Sequence, residues 1–276
     1  MSHFDAQRAK IVQAMFIATA DQNYIQARIA YQRKAAFDFL WLSLHALEKY
    51  FKAIRLLNRM PRMDGHDIAS LHAQCIARFP GLVATKFNFN KAEKSFWHKE
   101  NVKQFVVRLN AFGAAENRYG VYGYSIFPDD LAKVDTIVWS VRRCCIDFEG
   151  FSKFRDERHG EKESVELLKS GRKHWMLGGH LPIERLLSNQ GDEDVRERFL
   201  RGNKPWGAQT WIADAILCAS ANSPFTDLIH LARNGDGVVQ QEAKSVLRWA
   251  VQNIYFSPSV LNELCAVIGQ EANSQP

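Results

Sequence analysis

The amino-acid sequence predicts an all-α protein: an antiparallel, up-and-down helical bundle followed by a C-terminal helical extension. Three observations lead there. Through residues 35–57, Leu40, Leu44, Leu47, Phe51 and Ile54 recur every three or four positions, and Phe39, Ala46, Tyr50, Ala53 and Leu57 fill an adjoining row. The same spacing returns in segments on both sides, and Pro, Gly and Asn punctuate the chain between them. A helix that is apolar round most of its circumference belongs in the middle of a bundle.

The elements follow in order. Residues 8–33 read as a first helix, broken near Asp21, with Tyr24, Ala27 and Tyr31 as its apolar face. The central helix must stop before Pro61, whose ring lacks an N–H and clashes with the preceding turn. Asp67 is positioned to cap the next helix, IASLHAQCIARF, and the short loop makes the two helices antiparallel neighbours. A long loop follows, in which Lys86, Lys91, Lys94 and Lys99 alternate with Phe87, Phe89, Phe96, Trp97 and His98. Two readings of that mixture stand: the aromatics stack on the bases of a single strand, or they pin the loop to the bundle while the lysines stay in water. Helical spacing resumes over residues 101–118. Gly120, Gly123 and Pro128 break it, and Asp129 or Asp130 caps the last bundle helix, DLAKVDTIVWSVRRCCIDFEGF.

The domain boundary is expected near residue 155, with a bundle over 1–155 and a helical region over 156–276. In the latter, helices are expected at IERLLSN, DVRERFLRG, TWIADAILCAS, PFTDLIHLARNG and VVQQEAKSVLRWAVQNI. The tail after Gly269 reads as frayed. Within the 276 residues, 46% are hydrophobic and 24% charged, an ordinary globular composition. With no long apolar run and no N-terminal apolar signal core, a cytoplasmic protein without a membrane span is expected. The five cysteines show no metal-ligand spacing and read as buried thiols. The net charge of +6 is uneven: residues 1–155 hold 23 Lys and Arg against 14 Asp and Glu, while residues 156–276 hold 13 against 16. That excess points either to an acidic partner, nucleic acid above all, or to a solvated basic face.

The run LHALEKYFKAIRLLN, with GHDI after the loop, resembles the HEPN family, the higher eukaryotes and prokaryotes nucleotide-binding helical bundle. The residues carrying the likeness are Leu47, Glu48, Lys49, Lys52, Ala53, Leu57, Gly65, His66, Asp67 and Leu71. Glu116, Arg118 and Tyr119, with the helix after them, extend it to about residues 20–155. The resemblance implies a homodimer.

It also implies where chemistry should be sought. Active members of that family are metal-independent ribonucleases with Arg, four to six residues and then His, near the start of the last bundle helix. Histidine moves the 2′-hydroxyl proton and arginine steadies charge on the phosphate. In this chain Arg142 and Arg143 are followed by CCIDFE, with no histidine. One formal match, Arg59 with His66, falls in the loop after the central helix, where His66 also reads as a helix-start residue bonded to backbone or to Glu48. Arg118 with Tyr124 is the other candidate catalytic pair, although a tyrosine near its usual pKa is a poor base. No phosphate loop, serine nucleophile elbow or zinc helix is present, so no cofactor or metal is implied.

The expected function is binding of RNA, a nucleotide or a protein partner without clear catalytic equipment. The binding residues would be Glu48, Lys49, Lys52, Arg55, Arg59, His66, Asp67, Arg118, Arg142 and Arg143, and the C-terminal helices would engage a protein partner. The alternative is an endoribonuclease of toxin or defence type.

Overall fold

The computed structural model describes residues 3–61, 65–88, 98–117, 120–148, 177, 181–188, 190–207, 219–221, 223–254 and 256–269. It is mostly helical, as expected. The chain divides into two compact units, Met1–Asn110 with Ile126–Cys218, and Ala111–Ser125 with Ala219–Pro276.

In the first unit, α1 (His3–Val12) passes through a π-helical turn at Gln13–Ile17 into α2 (Ala18–Gln32). The break expected near Asp21 is therefore misplaced. Asp21 sits inside α2, fully buried, and accepts hydrogen bonds from Tyr50 Oη at 2.6 Å and Arg142 Nε at 2.8 Å. A carboxylate that would compete with helix backbone in water is occupied by tertiary partners. Its helix turns back through Lys34, in the left-handed region at φ 61°, where the amides of Lys34 and Ala35 bond to the carbonyls of Tyr31 and Ala30.

The central helix, α3 (Ala36–Leu57), buries both of its expected apolar rows. It ends four residues before Pro61, in the same kind of cap: Arg59 takes φ 52° and the Met60 amide reaches back to the Arg55 carbonyl. α4 (Ile68–Arg78) starts as expected, with Asp67 accepting from the Ala69 amide at 3.0 Å.

α5 covers Val102–Gly113 and α6 covers Asp130–Arg143, its Val134, Ile137, Val138 and Val141 fully buried. α6 is shorter than its sequence pattern. Neither expected aspartate caps it with a side-chain bond to its first turn, since Asp129 and Asp130 instead engage Lys133 and Arg108. Two short helices, α7 (Pro182–Leu187) and α8 (Glu193–Leu200), pack on α2. After them Trp206 is buried edge-on against Trp139, at 4.9 Å between ring centroids.

β1 (Tyr124–Ile126), of which Tyr124 and Ser125 belong to the second unit, pairs with β2 (Ala219–Ala221), and that unit contains α9 (Pro224–Asn234), α10 (Gly237–Asn253) and α11 (Pro258–Ile268). Its core includes Val121, Ala232, Leu247, Phe256, Val260 and Leu264. Ala219 and Ser220, expected at a helix end, belong to the strand, because pairing with β1 overrides local spacing. α11 was not among the expected helices, although Pro258 at its first turn and the spacing of Leu261, Leu264, Cys265 and Ile268 signal it. At the α9–α10 turn, a Cβ on Gly235 would lie 2.5 Å from the Leu231 carbonyl oxygen, so the close approach requires glycine. Cys75, Cys144, Cys145 and Cys265 are free and buried; burial raises the Cys75 and Cys144 thiols to about 12.

Candidate functional site

The stripe of α3 expected to face nucleic acid is largely neutralised by the protein's own acids. Glu48 is buried, with Lys52 Nζ at 2.6 Å, His66 Nδ1 at 2.8 Å and His45 Nδ1 at 3.3 Å. Burial pushes the Glu48 carboxyl up, but bonds from His45, Lys52 and His66 outweigh it and hold the pKa at about 2. Lys49 is half-buried, and that burial draws its ammonium below the ordinary value, with Glu48 offsetting part of the shift. Arg55 is only 6% exposed and donates to Gln74 Oε1 and the Pro61 carbonyl. Arg59 pairs with Asp5 at 2.9 Å and Asp147 at 3.6 Å.

The candidate pair Arg59 and His66 is thus divided between different carboxylates. His66, with 80% of its side chain exposed, bonds to Glu48, one of the two partners expected of it. Asp67 is occupied as the α4 cap.

Arg142 requires a correction. Expected at a binding surface, it is 1% exposed; its Nε and Nη2 take both oxygens of Asp21, and Nη2 reaches Glu184 Oε2 at 2.6 Å. A guanidinium so enclosed holds the bundle together and cannot receive a phosphate. Arg55 is withdrawn from the binding face for the same reason of burial.

Arg143, its neighbour, points elsewhere. Its guanidinium lies 5.1 Å from the Trp139 ring centroid and its Nε donates to the Trp139 carbonyl at 3.2 Å. Burial draws it below the ordinary arginine value. Together these two residues border a cleft of about 720 Å³ in the first unit, a size that accommodates a small ligand. One wall is the loop after α4, residues 81–86, tied down by the Ala84 amide donating to Ser140 Oγ at 3.0 Å. The second is the Ala132, Thr136, Trp139 and Arg143 face of α6, and the third is Gly202, Lys204 and Pro205.

Lys86, Arg143 and Lys204 place three cations on this cleft. The two acids lining it are already matched, Asp129 by Lys133 at 2.9 Å and Asp135 by Arg28 and by Tyr24 Oη at 2.7 Å. Burial raises both carboxyls, which Lys133 and Arg28 offset in part. Lys86, Arg143 and Lys204 thus line the cleft beside a partly exposed indole.

Sequence reasoning passed over Trp139 and Lys204. A signal existed for the first, in the i, i+4 spacing of Trp139 and Arg143 on the non-core face of α6. None existed for Lys204, which packing alone brings there.

Arg118 lies outside the described residues, as do Lys91, Lys94, Phe89, Phe96 and Trp97 of the long loop. At that loop's described ends, Phe87 meets Phe105 edge-on at 6.0 Å and His98 stacks on Phe127 at 3.8 Å, so these two rings pin the chain to the bundle. Tyr124, half-buried in β1, belongs to the second unit. Among the described residues, no group of His, Cys, Asp and Glu could hold a metal ion, and no helix is long and apolar enough to cross a membrane. No family model, curated protein or solved structure matches this chain.

Proposed function

We propose that this protein is a HEPN-like helical bundle that binds a nucleotide or a short stretch of single-stranded RNA in the cleft beside α6. The observation that carries this reading is the set Lys86, Arg143 and Lys204 around Trp139. Cations neutralise phosphates, and an indole face stacks on any base. The resemblance over residues 20–155 supports the same ligand class and adds the homodimer. The α3 stripe takes no part in it, because Lys52 and Arg59 are engaged by Glu48, Asp5 and Asp147 and Arg55 is buried.

Titration with a fluorescein-labelled single-stranded RNA octamer tests the proposal. Affinity falls steeply with salt, as counterions are released. Lys86→Glu with Lys204→Glu weakens binding by about tenfold or more, and Lys49→Glu with Lys52→Glu leaves it near wild type. An unchanged isotherm in the Lys86 and Lys204 double variant removes the cleft from the proposal.

One observation favours a second reading, the endoribonuclease: the exposed imidazole of His66 rests against a carboxylate. Its ring is held by Glu48, whereas Arg59 pairs with Asp5 and Asp147. The same RNA incubated in EDTA therefore stays intact. Cleavage that vanishes in folded His66→Ala, with a loss of about 10²-fold or more, would establish the enzyme instead.

A further inference from the structure

A second cleft, of about 310 Å³, lies within the second unit, between the Thr226–Asn234 side of α9, α11 and the Val121–Tyr122 turn. Its floor is apolar, with Val121, Val260 and Leu264 at most 6% exposed. Its rim carries opposite charges on different helices: Arg233 of α9 and Glu263 of α11, 3.7 Å apart and each about half exposed. A pair so long and so exposed is screened by water and held weakly, so a ligand bearing both charges can replace it.

His230, one helical turn before Arg233 and Asn234, lines the same wall. His230 Nδ1 lies 3.3 Å from the Asn234 side-chain amide nitrogen, within hydrogen-bond reach. A bare anion suits this place poorly, because the Glu263 carboxylate stands beside Arg233 and would repel it; an ammonium can pair with that carboxylate. The required ligand has a carboxylate, an ammonium on the adjacent carbon, and an apolar group.

We propose that this cleft binds a free amino acid with an apolar side chain, its carboxylate on Arg233 and His230, its ammonium on Glu263, and its side chain on the Val121, Val260 and Leu264 floor. Calorimetric titration of the full chain with L-leucine, N-acetyl-L-leucine and L-leucinamide tests it. L-leucine binds saturably at one site, and each blocked analogue, lacking one charge, binds at least about tenfold more weakly. Arg233→Gln and Glu263→Gln, both at exposed positions, keep the wild-type melting temperature and each lose leucine binding by a similar factor. No saturable heat from L-leucine at millimolar concentration, equal binding of all three ligands, or wild-type affinity in both variants would overturn the assignment.

Discussion

Glu48 shows how one buried residue redefines a helix face. With the pKa held at about 2, against 4.5 ordinarily, the folded state favours the ionised form. Its contribution to stability is therefore complete above about pH 4.5 and is lost as the pH falls through about 2. Replacing it by Gln costs roughly 2–3 kcal/mol at neutral pH, and the difference from wild type narrows steadily between those two pH values. Urea melts of both proteins at pH 7 and pH 3 measure this; a gap that does not change with pH would assign the loss to packing. On the same helix, Leu47 is fully buried, as its place in the row required.

At the scale of elements, α2 and α3 end in the same device, a left-handed residue that turns the chain and satisfies the last carbonyls. Neither position holds glycine. Lys34, at φ 61°, bears the steric cost of that conformation, so Lys34→Gly stabilises the protein by about 1 kcal/mol, read as a higher urea midpoint at unchanged slope. A lower midpoint would mean that the Lys34 side chain contributes more than its backbone costs. Arg59 differs, because its guanidinium pairs with Asp5 and Asp147 and glycine there would forfeit both contacts.

Across the first unit, Asp21 is the point where separate parts of the chain meet. It belongs to α2 and accepts from Tyr50 of α3, Arg142 of α6 and the Ile183 amide of α7. Asp21→Ala leaves the Arg142 guanidinium short of its bidentate partner inside the bundle and costs about 3–5 kcal/mol. Thermal melts check this, and a loss below about 1 kcal/mol would show that Glu184 alone can balance Arg142. The same node explains why residues 181–188 join the bundle: Glu184 supplies the second carboxylate for Arg142.

The helical class, both buried rows of α3, the Asp67 cap and the burial of the four described cysteines were legible in the sequence. Each depends on residues within a few turns of one another, where the helical period alone sorts inside from outside. Glu48, 18 positions before His66, was one of the two partners the sequence offered that histidine. Tertiary structure decided which charges are interior. Asp21 and Arg142 lie 121 positions apart, and each alone reads as a surface charge; only their pairing makes burial affordable. It also decided the cleft, whose walls come from residues 81–86, 132–143 and 202–205, three segments that no local pattern connects until the bundle closes.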